Sequence, residues 1–341
     1  MGYDLRAGEK PPLRVVILTG GGPRFILPFL GSELSIAGII ELNRQASPIS
    51  LREHLKELIR RTRVLKYCRL QMHYQARNKG CSHHYIARGS DGALAQCLKA
   101  LKPDVVVAYR IPLLKPDFLD IPALGFINLH PSLLPKYRGG HPILWMARDY
   151  DLEGGVSVHF MTPQADRGEL LAQATFPITP GASEEQVERR AIHELGIPLA
   201  IRALKKLEQG TLATVEQPVE SPTPYAYRRS HQQIWEMIDW DGWSLEHTWH
   251  MLRCHPFWKS RLPDMQRWRR WVDWRIGAIE WQLLPGARGE IESRRGGYCL
   301  RHRHGWITIN PVIRPKRLLK LFLLWLLERP VALIEQYAQR R

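Results

Sequence analysis

The sequence has few cysteines, a shortage of acidic residues and no long apolar run, and each deficit argues against a class of protein. Its five cysteines are odd in number and form no Cys-x-x-Cys pair, which argues against a disulfide scaffold or a zinc ribbon and favours a reducing compartment. No window reaches the roughly 18 apolar residues of a membrane-spanning helix. No apolar signal-peptide core follows Met1. We therefore expect a cytoplasmic protein.

The remaining composition is that of a globular chain, with 341 residues, 44% apolar and 24% charged. At roughly 150 residues per domain, this length suggests about two domains. Lysine and arginine number 49 against 33 acidic residues, which gives a formal net charge of +16. Such an excess favours an anionic partner, namely a phosphorylated substrate, a nucleic acid or an acidic membrane surface. A basic surface without any partner is the alternative.

Short β-branched runs alternate with helical patterns over the first two thirds of the chain. Strands are predicted at residues 13–19, 34–41, 105–108, 126–129 and 156–161. Helices are predicted at residues 51–69, 91–101 and 183–209, the last beginning after Ser183 with a capping box. The alternation predicts an α/β fold with an open, mostly parallel, Rossmann-like sheet in a domain over residues 1–215.

The composition changes after a proline-rich linker at residues 218–224. Ten of the twelve tryptophans lie between Trp235 and Trp306, and glycines separate short alternating runs. This pattern predicts a small β-rich domain over residues 222–312. Residues 313–341 are predicted to form a basic, leucine-rich helical tail. The tail either docks on the protein or lies in an anionic membrane interface, and both readings stay open.

The strongest chemical signal follows the strand predicted at residues 126–129. Asn128 and His130 are two positions apart, so their side chains share a face at the carboxyl edge of the sheet, where open α/β sheets bind ligands. Asp166 lies in a turn after the next strand. Taken alone, these residues indicate little, because a strand-end histidine is more often structural.

The segment reads Asn128-x-His130, then Ser-Leu-Leu-Pro-x-aromatic-Arg-Gly, then Asp166-x-Gly168. This combination resembles the 10-formyltetrahydrofolate-dependent formyltransferases, which include glycinamide ribonucleotide, methionyl-tRNA and nucleotide-sugar amine formyltransferases. The resemblance is close over residues 102–178, looser over 13–101, and moderate at 238–257. That last stretch is similar to the C-terminal domain of the methionyl-tRNA and sugar enzymes. The resemblance implies the formyltransferase fold and activity.

The resemblance implies a catalytic trio of Asn128, His130 and Asp166. In the family's reaction a primary amine attacks the formyl carbon on N10 of the folate. The Asn128 amide and a protonated His130 would donate hydrogen bonds to the oxyanion that forms. Asp166 would stabilise the imidazolium and, through water, help to move the amine proton to N10.

The resemblance also implies where the formyl donor and the acceptor bind. Candidate folate-binding residues are Ala108, Arg110, Ile111, Leu113 and Gly168. Candidate ligands for an acceptor phosphate are Gly20, Gly21, Gly22 and Arg24. This glycine turn could equally be a plain tight turn. The methionyl-tRNA enzymes usually read Ala-Tyr-Gly where this chain has Arg110 in place of the glycine. We therefore expect a nucleotide-linked amino sugar as acceptor, with methionyl-tRNA as the alternative.

No metal site is predicted. Two Cys/His groups occur, at residues 81–84 and 299–304, but neither has a second ligand pair at zinc spacing.

Two further classes of protein stay open: a non-catalytic nucleic-acid-binding protein on this scaffold, and a peripheral membrane protein acting through its tail. The features that suit nucleic acid are the +16 charge, the tryptophan–arginine run at 268–275, and Lys56, Arg60, Arg61 and Arg63. The sequence leaves the oligomeric state open.

Overall fold

A computed structural model describes residues 11–20, 22–43, 63–262, 272–294 and 296–313. The strands of the first sheet are β1 Arg14–Thr19, β2 Ser35–Asn43, β3 Ser82–Ala87, β4 Val105–Tyr109, β5 Phe126–His130, β6 Glu153–Phe160 and β7 Leu170–Pro177. The helices of this part are α1 Pro23–Leu30, α2 Arg63–Asn78, α3 Asp91–Leu101, α4 Pro116–Leu119, α5 Pro142–Asp149, α6 Glu184–Glu188 and α7 Ile197–Glu208.

The first sheet has the strand order β3-β2-β1-β4-β5-β6-β7. Strands β1 to β5 pair in parallel, whereas β6 runs antiparallel to both β5 and β7. The predicted open, mostly parallel sheet is therefore confirmed. The sequence analysis did not predict β3 and β7, which form the two edges of the sheet. Much of each edge strand is only partly buried, so neither presents a continuous apolar run.

Both faces of the central strands are covered. In β1, Val15 and Ile17 belong to the buried cluster on one face, whereas Val16 and Leu18 belong to the cluster on the other. A parallel strand buried on both faces needs apolar residues at every position rather than at alternate positions. This requirement explains the unbroken apolar run from which the strand was predicted.

The helix predicted at residues 183–209 has a correct start and an irregular middle. The Ser183 side chain accepts a hydrogen bond from the backbone N–H of Gln186, and the Gln186 side chain accepts one from the backbone N–H of Ser183. The predicted capping box is therefore present. A π-helical segment, Arg189–Gly196, then joins α6 to α7. Pro198, which lacks a backbone N–H, lies in the first turn of α7 just beyond this widened segment.

The C-terminal region combines helices with a second sheet. Its elements are α8 His231–Glu236, α9 Leu245–Cys254, a 3₁₀ helix Pro256–Arg261, β8 Val272–Trp281, β9 Arg288–Arg294, β10 Gly297–His302 and β11 Gly305–Ile313. The four strands form an antiparallel sheet in the order β8-β11-β10-β9. The predicted β-rich domain therefore begins with three helical segments that the sequence analysis did not foresee. Its boundaries stay predictions.

The two sheets share one continuous core. Met251 of α9 and Ile309 of β11 belong to the same buried cluster as Ile127 of β5 and Val156 of β6. Trp274 packs against this cluster and lies 5.0 Å from the Tyr298 ring, measured between centroids. Trp274 is thus a packing residue of the C-terminal region.

Several sequence predictions fall outside the described residues. These are Gly21, the first part of the helix predicted at 51–69, the side chains of the basic residues at 56–63, the tryptophans at 268 and 271, and the tail at 314–341. Among the helices that the structure does describe, none combines the length and the apolar character needed to cross a bilayer.

Candidate active site

The three predicted catalytic residues converge at the carboxyl end of β5. Asp166 Oδ1 lies 3.5 Å from Asn128 Nδ2 and 3.6 Å from His130 Nδ1. Asp166 Oδ2 accepts a hydrogen bond of 2.9 Å from the backbone N–H of Gly139. Asn128 and His130 reach this point from one face of the strand, and Asp166 reaches it from the loop after β6. We call these three residues the catalytic trio.

Asp166 is held as a carboxylate. Burial alone would raise its pKa, but the interactions with the His130 and His159 rings and the hydrogen bond from the Gly139 amide outweigh this effect and hold the pKa well below its usual range. The site therefore contains a fixed negative charge next to an imidazole.

The His130 ring is buried, with only 4% of its surface exposed. Its Nε2 lies 2.9 Å from the carbonyl oxygen of Tyr137, so Nε2 carries the proton and donates there. Burial lowers the pKa of His130, and attraction to Asp166 offsets this only in part, so the resting ring is neutral. The remaining nitrogen, Nδ1, is then a lone-pair acceptor on the Asp166 side.

His159 is a site residue that the sequence analysis missed. It pairs directly with Asn128 across the antiparallel β5–β6 ladder. Its Nδ1 donates to the carbonyl of Phe160 at 2.7 Å, so in the neutral ring Nε2 accepts from Asn128 Nδ2 at 3.3 Å; Nε2 also lies 3.5 Å from Asp166 Oδ1. His159 thereby fixes the amide orientation of Asn128. The only signal in the sequence was its place in a strand whose antiparallel direction was not predicted.

The loop that carries Asp166 is held by two side chains. Asp166 has a left-handed backbone conformation, with φ of 56°. Its carbonyl accepts hydrogen bonds from Arg138 Nε at 3.2 Å and from Gln217 Nε2 at 3.1 Å. Arg138 is the buried arginine of the Ser-Leu-Leu-Pro-x-aromatic-Arg-Gly motif, and also donates to the linker carbonyl of Pro218 at 2.7 Å. Arg138 thus ties the Asp166 turn to the linker between the two sheets.

The trio lines a cavity of about 1190 Å³. Of the predicted folate-binding residues, Arg110, Ile111 and Leu113 line it. Ala108 is instead buried within the sheet. Gly168 serves packing, because a Cβ atom there would lie 2.0 Å from the carbonyl oxygen of Phe160.

The predicted phosphate turn reaches the cavity through one described residue. Gly20 lines the cavity, whereas Gly22 and Arg24 are absent from the lining formed by the described residues. Gly22 has a φ of 72° and precedes α1, so it serves the turn into that helix. A side chain at position 20 would meet the guanidinium of Arg88, since a Cβ would lie 2.5 Å from Arg88 Nη2.

Arg110 replaces the glycine of the methionyl-tRNA enzymes but adopts a backbone conformation that suits glycine. Its φ is 54°, in the left-handed region. Its Nε donates to Glu188 Oε1 at 2.8 Å, and the hydroxyl of Tyr109 donates to the same carboxylate. These bonds from Arg110 and Tyr109 offset the conformational strain of about 1–3 kcal/mol expected for a non-glycine residue there.

Three further arginines line the cavity, namely Arg88, Arg228 and Arg229, and we call them the lining arginines. Within the described ranges, none of them forms an ion pair with a carboxylate. Arg229 lies over the Tyr227 ring at 5.5 Å, and Arg228 packs beside Gly140. The cavity therefore offers uncompensated guanidinium groups to an anionic ligand.

The sheet order and the convergent Asn, His and Asp side chains define a Rossmann-like α/β protein with a polar site at the carboxyl edge of its sheet. Residues 69–204 match the family described as formyl transferase, and this segment contains the whole catalytic trio. Over these residues the chain is similar to the formyl transferase family, which agrees with the resemblance found in the sequence.

Curated relatives match a stretch of similar length. The methionyl-tRNA formyltransferase of Synechococcus sp. (strain JA-3-3Ab) is 37% identical over 152 residues, which are 44% of this chain and 46% of that protein. The methionyl-tRNA formyltransferase of Koribacter versatilis (strain Ellin345) is 38% identical over 121 residues, covering 35% of this chain and 38% of its own. The chain therefore aligns with less than half the length of these relatives.

Solved structures extend the likeness to most of the chain. The N-formyltransferase from Helicobacter canadensis, solved with folinic acid and dTDP-3-aminofucose, gives a TM-score of 0.55 at 15% identity, covering 87% of this chain and 98% of that one. The sugar 3N-formyl transferase WlaRD, solved with dTDP and 5-N-formyl-THF, gives 0.57 at 14% identity, covering 89% and 100%. At these identities the likeness establishes the fold, which is the predicted formyltransferase fold.

Proposed function

We propose that this protein transfers a formyl group from 10-formyltetrahydrofolate to a primary amine. The observation that carries the proposal is the meeting of Asn128, His130 and Asp166 within 3.6 Å at the wall of a large cavity. The family match over residues 69–204 and the folate-type ligands named for the solved formyltransferases support it.

The first step is attack of the neutral amine nitrogen on the formyl carbon. A C–N bond forms, the formyl oxygen becomes an oxyanion, and the amine loses a proton. The Nδ2 group of Asn128 has two hydrogens. One is held by His159, and the other, which faces Asp166 Oδ1 at 3.5 Å in the resting site, would turn to the oxyanion. His130 Nδ1 takes the amine proton, and Asp166 stabilises the imidazolium that results.

The second step expels the folate. The oxyanion returns its electron pair, the bond from the formyl carbon to N10 breaks, and the proton on His130 Nδ1 passes to N10. His130 ends as the neutral ring with which it began. This role differs from the one expected from the sequence, in which a histidine already protonated donates to the oxyanion, because burial disfavours a resting imidazolium.

The donor would bind along the wall formed by Arg110, Ile111 and Leu113, where the fit is mainly apolar. Leu94, Phe118 and Met161 line the same cavity and provide surface for a flat pteridine. Backbone groups of this segment would pair with the polar edge of the ring.

For the acceptor we propose a nucleotide-linked amino sugar. The three lining arginines suit a diphosphate. Tyr225 and Tyr227, whose ring centroids are 4.5 Å apart, precede Arg228 and Arg229 in the sequence. The fold shared with sugar N-formyltransferases over nearly the whole chain supports this class.

Methionyl-tRNA is the second candidate, because the curated relatives at 37–38% identity are named for it. That similarity covers less than half of this chain, and glycinamide ribonucleotide, amino-sugar and methionyl-tRNA acceptors all require the same formyl chemistry. It therefore supports formyl transfer more strongly than it supports tRNA.

The test is release of tetrahydrofolate by the purified full chain against a panel of nucleotide amino sugars and methionyl-tRNA. We expect release that depends on at least one amine, with a nucleotide amino sugar preferred. Folded protein that releases no tetrahydrofolate with any of these amines would contradict formyl transfer. Salt-dependent tRNA binding without turnover would favour the non-catalytic alternative.

The cytoplasmic location and a peripheral membrane contact through the tail are also proposals. Flotation with anionic vesicles compares the full chain with a chain ending at residue 313. Co-flotation of the full chain alone would support membrane contact, and equal behaviour would contradict it.

A further inference from the structure

A second group of polar side chains lies beside the cavity, outside the catalytic trio. His141 Nε2 is 3.2 Å from Glu184 Oε1, and His255 Nε2 is 3.7 Å from Glu184 Oε2. One ligand atom from each residue lies within 4.8 Å of the other two. His141 and Glu184 also line the cavity. The cluster was not foreseen because its members are far apart in the sequence.

We infer that His141, Glu184 and His255 form a binding site for a zinc-type divalent metal ion, with its open coordination position towards the cavity. Two imidazoles and one carboxylate are a ligand set that zinc and its neighbours in the periodic table accept. Ions such as Mg²⁺ and Ca²⁺ prefer sites made of oxygen atoms alone.

The spacing fits this ion. Metal–ligand distances of about 2.0–2.1 Å in a tetrahedral site place neighbouring ligand atoms about 3.4 Å apart. The observed separations of 3.2 and 3.7 Å bracket that value, so small side-chain rotations would complete the site.

A simple ion pair explains less of the cluster. Glu184 paired with His141 would account for one of the four ring nitrogens. His255 Nε2, at 3.7 Å, is too far from the carboxylate for a good hydrogen bond. A metal ion would bring the carboxylate and both rings into one bonded set.

The backbone holds the three ligands in place independently of a metal. The N–H of His141 donates to the carbonyl of Ala226 at 3.0 Å. Glu184 is the first residue of α6 and lies within the capping box formed by Ser183 and Gln186. His255 follows α9, which is tied to the Gly181 loop by a 2.9 Å bond from Arg253 Nε to the Gly181 carbonyl. The site would thus join a helix of the second region to two elements of the first, and this does not depend on the proposed formyl transfer.

The test begins with the full chain stripped by a chelator and titrated with ZnCl₂ by calorimetry, with Co²⁺ as a spectroscopic substitute. We expect one tight equivalent and a tetrahedral Co²⁺ spectrum. Both should be lost in His255→Asn and His141→Ala, with affinity weakened at least about 100-fold. The wild-type melting temperature should rise with Zn²⁺, whereas that of the variants should not.

His231→Ala is the matched control, since its ring lies 5.9 Å from the His255 ring but outside the ligand set. This variant should keep the tight equivalent. A stripped wild type that binds no equivalent, or folded His255→Asn and His141→Ala variants that bind as the wild type does, would overturn the inference. Circular dichroism confirms that each variant is folded.

Discussion

The catalytic trio and the lining arginines share one cavity but are built in opposite ways. Each trio side chain is fixed by neighbours: Asn128 by His159, His130 by the Tyr137 carbonyl, and Asp166 by Gly139. The lining arginines have no described carboxylate to hold them. Under the proposed function, preorganised groups would perform the chemistry, whereas groups that adjust to an anion would recognise the acceptor.

The largest effect should come from the most constrained residue. Asp166→Asn removes the charge that stabilises the His130 imidazolium while keeping the side-chain shape, so we expect the turnover number to fall by about 10³. Tetrahydrofolate release at saturating substrates measures it. Asp91→Asn is the control, since Asp91 lines the same cavity but pairs with Lys115, and its turnover should change less than about twofold. Equal losses of turnover in Asp166→Asn and Asp91→Asn would contradict a specific role for the Asp166 charge.

Asn128→Ala should lower turnover by about 10², because it removes one hydrogen-bond donor to the oxyanion. His159→Leu should cost less, since it removes a neighbour of Asn128 and Asp166 but leaves the donor to the oxyanion in place. Steady-state kinetics of both variants checks this order. A greater loss in His159→Leu than in Asn128→Ala would mean that His159 acts on substrate directly.

The lining arginines should affect binding rather than turnover. Arg228→Ala should raise the acceptor KM about tenfold with little change in turnover, because charge-assisted bonds to an anion contribute about 1.5–3 kcal/mol. The donor KM should stay constant. Arg202→Ala, an exposed arginine on α7, is the control. An unchanged acceptor KM in Arg228→Ala would place the anion elsewhere.

The smallest effect concerns stability, away from the cavity. His250 is buried, accepts a hydrogen bond on Nδ1 from the Gly181 N–H at 2.8 Å, and burial lowers its pKa from 6.5 to about 4. Between these values the unfolded chain binds the proton more readily, so stability falls as the pH drops, by at most ~1.4 kcal/mol per pH unit.

His250→Asn keeps an acceptor that does not titrate, so urea unfolding at pH 7 and pH 5 should show a shallower loss for the variant. Part of the slope should remain in His250→Asn, because burial also lowers the pKa of His302 to about 4. A wild-type slope in His250→Asn would contradict this assignment.

The sequence predicts the centre of the fold better than its edges. β1 and β4 are buried on both faces and therefore appear as apolar runs. β3 contains His83 and His84 and is mostly half-buried, so no simple period marks it. The helices before the second sheet were missed because the tryptophans around them were assigned to β structure.

The trio was predictable, whereas its supports were not. Two of its members are two positions apart on one strand, and the third lies in a motif. His159 reaches Asn128 only because β6 runs antiparallel to β5, and Gln217 reaches Asp166 from the linker. Contacts of this kind depend on tertiary structure, which the local sequence does not encode.

The most direct test of the account is single-turnover transfer of an isotope-labelled formyl group from 10-formyltetrahydrofolate to the acceptor amine, followed by mass spectrometry. The wild type should give labelled N-formyl product, and His130→Ala should give it at least about 10² more slowly with unchanged donor affinity. Transfer by folded His130→Ala at the wild-type rate would contradict the claim that this buried ring moves the proton.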